Sequence, residues 1–187
     1  TTQVDALTAK QLGGMTTTAV ENFSTTQLGD LSTTQVRGLT ATQLNGLSTA
    51  TINALNAGDL ATSQIGGMNE TAIGAFTSTQ VGGLAATQIG AISASSINGL
   101  STTEIAALDA LQAAALNAQQ VAGLSTTNFA ALSSTTGIPG ISIAAIAGIS
   151  VDQINALNST QGSAFDTTQI QAMSADQVNA LIGIVNV

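Results

Sequence analysis

The sequence predicts an all-α solenoid, a superhelix of very short capped helices with one helix to each eight-residue repeat. Three observations predict it: an octad spacing of large apolar residues, a capping-box pattern inside each octad, and a second apolar residue placed to clasp each helix start. The spacing comes first. Anchors stand at Leu7, Met15, Phe23, Leu31, Leu39, Leu47 and Leu55, shift by five to Leu60, and resume through Met68, Phe76, Leu84, Ile92, Leu100, Leu108, Leu116, Leu124 and Leu132. After one nine-residue step they continue at Ile141, Ile149, Leu157, Phe165, Met173 and Leu181. Of the 22 intervals between these 23 anchors, 20 are eight residues, so residues 1–187 read as one repeat array rather than a mosaic of domains.

With the anchor as position one, position two is Ser, Thr, Asn or Asp except at Ala61, Ala85 and Ile182. Position five is often Gln or Glu, as at Gln11, Gln27, Gln35, Gln43, Gln80, Gln88, Glu104, Gln153, Gln169 and Gln177. A Ser or Thr followed three residues later by Gln or Glu is a capping box, in which each side chain satisfies a backbone N–H at a helix start. Position six is apolar and mostly β-branched, as at Val36, Ile52, Ile73, Val81, Ile105 and Val178. With position two as N-cap, positions one and six are the two members of a hydrophobic staple, which accounts for their spacing of five. Gly or Ala at position eight lets neighbouring helices approach closely. One unit cannot bury enough to fold alone, so stability has to come from stacking along the array.

A β-solenoid is the alternative, because Thr-rich sequences favour strands. Parity opposes it: positions one and six differ by an odd number and would face opposite sides of one strand. A single continuous helix fails as well, because the apolar stripe would rotate by about 80° per unit and a cap recurs in every one. Three places depart from the pattern. Leu55 to Leu60 is a shortened unit, and 132–141 carries an extra residue together with Gly137, Pro139 and Gly140, which marks either a joint or a tolerated insertion. The Ala- and Leu-rich run Ala106 to Gln120 suggests two units fused into one longer helix. The apolar tail 182–187, with Ile182 at a cap position, either covers the last open face of the stack or inserts into another copy, where Thr1 opens in mid-unit.

Composition narrows the function. There is no Cys, His, Trp or Tyr, so the usual nucleophiles, bases and metal ligands are missing and an enzyme is not expected. Two basic residues, Lys10 and Arg37, face ten acidic ones for a formal charge of −8, which repels nucleic acid. The longest apolar stretch, Ile141 to Val151, is interrupted and too short to span a bilayer, so no membrane insertion is expected. Asp59, Glu70, Glu104, Asp109, Asp152, Asp166 and Asp176 all fall between positions two and five, where they cap or complement a helix dipole rather than pair for catalysis. Hence no catalytic, cofactor-binding or metal residue is assigned, and no small-molecule ligand is expected. Thr pairs at positions three and four, such as Thr25-Thr26, Thr33-Thr34 and Thr102-Thr103, would form an outer face open to ice or a surface ligand, although Ala41, Ala57, Ala86 and Ala94 break the row.

Tracts such as Leu-Ser-Thr-Thr-Gln-Val at Leu31 to Val36, with near copies at Leu39 to Leu44 and Met173 to Val178, resemble the octad repeats of very large, acidic, cysteine-free surface or secreted proteins of Gram-negative bacteria. That resemblance covers essentially the whole chain. It implies export, by a one-step secretion route, and a structural role outside the cell or on its surface as an adhesin stalk, filament subunit or spacer, with self-association as the partner mode. The motif also resembles the opening of the DNA-reading repeats of plant-pathogen effectors, but those are longer and basic, and the likeness stops at the helix cap.

Overall fold

The computed structural model describes residues 2–186. Among them the chain is helical throughout, and the stacked-strand alternative is overturned because no described residue lies in a strand. The elements are α1 (Thr2–Asp5), α2 (Ala9–Gly13), α3 (Thr17–Glu21), α4 (Thr25–Gly29), α5 (Thr33–Val36), α6 (Ala41–Gly46) and α7 (Thr49–Ala54), then a 3₁₀ turn, η1 (Ala57–Asp59). There follow α8 (Thr62–Gly67), α9 (Glu70–Ile73), α10 (Ser78–Gly82), α11 (Ala86–Ile89) and a second 3₁₀ turn, η2 (Ile97–Gly99). The rest are α12 (Thr102–Ala106), α13 (Ala110–Ala114), α14 (Ala118–Gly123), α15 (Thr126–Ala130), α16 (Gly137–Gly140), α17 (Ile143–Ile146), α18 (Val151–Asn155), α19 (Ser159–Gly162), α20 (Thr167–Gln171) and α21 (Ala175–Val185).

Most helices start at the position-two cap, although α16 starts at Gly137 with no side-chain cap. At α4, Ser24 is extended (φ −67°, ψ 157°), its hydroxyl accepts the Gln27 N–H at 3.2 Å, and Gln27 Oε1 accepts the Ser24 N–H at 2.8 Å. The reciprocal pair recurs along the array, with Asp109, Asn117, Asn158 and Asp166 serving as well as Ser or Thr. At Ala61 and Ala85 half of it survives, because Gln64 and Gln88 still accept the N-cap N–H at 2.7 and 2.8 Å. A helix stops where the next anchor and N-cap turn extended, as Leu47 (φ −74°, ψ 147°) and Ser48 (φ −67°, ψ 157°) do after α6.

The same local rule corrects one expectation and explains another feature. Ala106 to Gln120 is not fused into a longer helix: α12 ends at Ala106, and α13 and α14 start separately, since Asp109 and Asn117 accept the N–H groups of Gln112 and Gln120 and stop any run-through. High Ala propensity yields to the caps. At the other extreme, Ile182 offers no cap oxygen, and α21 runs through the anchor Leu181 for 11 residues. Its last turn lies over α19, where the Ile184 side chain faces Gly162. Thr1 and Val187, the outermost residues of the mid-unit opening and of the tail, lie outside the described residues.

Packing mostly links an element to the third one beyond it. Thus α2 lies on α5, α3 on α6, α4 on α7, α12 on α15, α13 on α16, α14 on α17, α15 on α18, α17 on α20 and α18 on α21. The 3₁₀ turns occupy full places in this count, with η1 against α10 and η2 against α9 and α14. So the shortened unit at 55–60 keeps its slot. Anchors and position-six side chains join in one buried cluster running from Val4 to Leu181. Glycine supplies room rather than unusual backbone, as no described residue has positive φ. A Cβ on Gly38 would collide with the Ala9 main chain, and one on Gly123 would stand 2.5 Å from the Ala94 carbonyl oxygen. No described helix is long and apolar enough to cross a membrane.

Candidate functional site

The most organised polar feature is a row of buried glutamines at position five. The sequence accounts for one end of each side chain, the Oε1 that closes the capping box. Its other end does something the capping pattern does not require. In Gln120, 1% exposed, Oε1 accepts the Asn117 N–H at 2.9 Å while Nε2 donates to the Ile89 and Ile92 carbonyls, both at 2.8 Å. Ile89 is the position-six residue four units earlier and Ile92 the anchor three units earlier.

Eleven glutamines repeat this two-carbonyl contact: Gln35, Gln43, Gln64, Gln80, Gln88, Gln112, Gln120, Gln153, Gln161, Gln169 and Gln177, at 2.6 to 3.1 Å. For a regular stretch the sequence separations are 31 and 28, as for Gln43 with Leu12 and Met15. Across the shortened unit they fall to 28 and 25, as for Gln64 with Val36 and Leu39. Across the nine-residue step they become 32 and 29 for Gln153 with Val121 and Leu124. The anchor carbonyl is kept throughout, and only at Gln161 does the second partner shift by one residue, to Ala130, so the irregular units are absorbed without loss of register. At 132–141 this favours the tolerated insertion over the joint.

Other residues at position five keep part of the contact. Ser96 Oγ donates to the Met68 carbonyl at 2.9 Å, Thr136 Oγ1 to Leu108 at 3.0 Å, and Asn128 Nδ2 to Leu100 at 3.0 Å. Glu104 does not. Its carboxylate, 7% exposed, accepts the Ser101 N–H at 2.8 Å but has no proton to offer to Ile73 and Phe76, the carbonyls that match its place in the row. Three units whose position five holds no Gln or Glu receive help from elsewhere. The N-cap N–H of Ser48 goes to Glu21 Oε1, that of Asn69 to Asn45 Oδ1 at 2.8 Å, and that of Ser125 to Asn98 Oδ1 at 2.9 Å. Glu21, Asn45 and Asn98 all stand at position seven, four units upstream. No buried side-chain nitrogen or oxygen among the described residues lacks a partner.

The acids sit where the spacing puts them. Asp59 lies in η1, Glu70, Glu104, Asp152 and Asp176 lie in first turns, and Asp109 and Asp166 are N-caps. Asp166 is held below the usual aspartate range, first by the Thr168 hydroxyl at 2.6 Å and then by the Gln169 N–H at 2.8 Å. Asp59 is braced by Thr33 and Asn56, and its carbonyl accepts from Arg37 Nε at 3.1 Å. No three His, Cys, Asp or Glu side chains among the described residues gather closely enough to hold a metal ion. Thr25, Thr26, Thr33, Thr34, Thr102 and Thr103 are exposed. An open, mainly apolar groove of about 470 Å³ lies beside α21, lined in part by Phe165, Ile170, Leu181 and Val185.

One sequence signal could have revealed the row. A capping box accepts Glu as readily as Gln, and the helix dipole favours the carboxylate. Yet position five holds 13 Gln and one Glu. That bias makes sense only if the amide nitrogen is used. Among known proteins, the ALTTAQ repeat family matches residues 20–57, a stretch that contains the whole of α4, α5, α6 and α7. This is therefore a repeat-containing protein. No curated protein matches the chain.

Proposed function

We propose that the chain is a structural module: an all-α solenoid of octads that serves as a stalk, spacer or filament subunit of an exported surface protein. The observation that carries this reading is the glutamine row. Side chains that elsewhere would be free for chemistry are spent on joining each helix to those three and four units before it. Because neighbouring units supply all the contacts, the array has a length that can be set by the number of units. The outer positions carry mostly Thr and Ser, so the face left to solvent is neutral and hydrated. A surface-ligand or ice-binding role for that face is the competing reading, supported by the exposure of Thr25, Thr26, Thr33 and Thr34.

Deletion of residues 76–99, three whole units between the anchors Phe76 and Leu100, tests the module directly. The shortened chain is expected to keep its helical circular dichroism per residue and to lose length in small-angle scattering in proportion to the residues removed. A chain that unfolds, or one whose scattering describes a compact sphere before and after, would refute the reading. Unchanged ice growth in the presence of the intact chain would dispose of the ice-binding form of the competitor.

A further inference from the structure

Several departures from the repeat pattern meet in one place, well inside the array. An open groove of about 310 Å³ is lined in part by Arg37, Gly58, Ala61, Thr62, Ala85 and Thr87. Arg37 is the only arginine of the chain, Gly58 belongs to the shortened unit, and Ala61 and Ala85 are the only alanines at position two. Where nearly every other unit presents a cap oxygen, the wall of this groove carries two methyl groups. Arg37 is held by a single contact, its Nε donating to the Asp59 carbonyl at 3.1 Å, and its two terminal amino groups donate to nothing among the described residues. The acid beside it is engaged elsewhere: Asp59 Oδ1 accepts from the Thr33 hydroxyl at 2.6 Å and Oδ2 from Asn56 Nδ2 at 2.7 Å. Asp59 does not line the groove, so the guanidinium is the one charge there, in a chain of net charge −8. By contrast, the groove lined by Ile149 and Ser174 carries the acid Asp176.

We propose that this groove binds the carboxylate of a small polyhydroxylated acid, of the uronic acid class, with Arg37 as its anchor. A planar guanidinium with free amino groups suits a carboxylate, which it grips through two parallel N–H donors. The field of an acidic chain opposes anions in general, so charge alone does not hold a ligand here. Thr62 and Thr87 supply the rest. Both are exposed, their hydroxyls bond to nothing among the described residues, and a hydroxyl can both donate to and accept from the hydroxyls of a sugar ring. Gly58, Ala61 and Ala85 keep the walls low enough for the ring to enter, and the volume stands at the small end of the ligand-pocket range, which begins near about 300 Å³. A ligand here leaves the glutamine row intact. Gln88 also lines the groove, but its Oε1 already accepts the Ala85 N–H at 2.8 Å and its Nε2 donates to the Leu60 carbonyl at 2.7 Å. The proposal goes beyond the structural-module reading: it gives one level of the array a ligand, and the array stands without it.

The test titrates the whole isotope-labelled chain with sodium glucuronate at fixed ionic strength and follows its amide resonances, with glucose and sodium acetate as controls. Saturable shifts at Gly58, Thr62 and Thr87 are expected with glucuronate, and neither control reproduces them. Arg37→Gln is expected to weaken glucuronate binding at least about tenfold. Ala85→Asp guards against a variant that merely unfolds. It adds the cap oxygen that Asp109 supplies to α13, so it is expected to raise the urea midpoint while its carboxylate, set in the groove wall, abolishes binding. Glucuronate that moves no resonance in the groove overturns the proposal. So does acetate that binds as tightly as glucuronate, or an affinity that Arg37→Gln and Ala85→Asp leave unchanged. Any of these leaves the module reading intact, because that reading is tested by length and not by binding.

Discussion

Replacing Gln120 by Ala should cost about 2 to 5 kcal/mol of stability, far more than the same change at Gln11. The magnitude follows from what each truncation leaves behind. At Gln120 the Ala removes the acceptor of the Asn117 N–H and the donor to the Ile89 and Ile92 carbonyls, in a site 1% exposed. Ile89 still accepts the Ile92 N–H at 3.1 Å, so it keeps one partner. The buried Ile92 carbonyl is left without one, at about 1–3 kcal/mol, and the part-buried Asn117 N–H loses its cap partner, at about 0.5–2 kcal/mol. Gln11 is exposed and its amide donates to nothing among the described residues, so water replaces what is lost and only the cap contributes, about 0.5–1 kcal/mol. Urea unfolding followed by far-ultraviolet circular dichroism measures both. A third variant separates cap from row: Gln120→Glu keeps the cap acceptor and loses the donor. If capping were the whole role of this position, Gln120→Glu would be harmless at neutral pH and Gln120→Ala would match Gln11→Ala. Either result refutes the reasoning.

Glu104→Gln should stabilise the chain by about 1–2 kcal/mol, because it keeps the Ser101 cap and adds a donor toward Ile73 and Phe76; an unchanged urea midpoint would show that those carbonyls are satisfied without it. Gly123→Val should destabilise by more than about 2 kcal/mol, since its Cβ would meet the Ala94 carbonyl oxygen at 2.5 Å and main chain cannot swing aside as a side chain can. Amide exchange confined to faster opening around Ala94 and Gly123 would locate the damage, and a normal thermal midpoint would contradict the close approach.

The helix starts were legible because every part of their cause lies within six consecutive residues. Ser32, Gln35, Leu31 and Val36 announce a cap, its reciprocal acceptor and a staple, and the structure builds α5 on them. The misreading at Ala106 to Gln120 came from weighing Ala propensity, worth a few tenths of a kcal/mol per residue, above Asp109 and Asn117, each a cap worth about 1 kcal/mol. The candidate site was half legible. Gln at position five was seen as a cap partner, and its surplus over Glu was in the sequence, but nothing local says where Nε2 points.

Sequence alone therefore determined the helical class, most of the unit boundaries and the burial of positions one and six. Tertiary structure decided which units meet. The partner of Gln43 lies 28 and 31 residues away, that of Gln64 25 and 28, and that of Gln153 29 and 32. Those separations are set by how far each short helix turns the chain before the next begins, a sum of backbone angles over three to four units. A periodic sequence repeats the step but does not state its size, so the contacts that hold level to level emerge only when the turns have been added up in space.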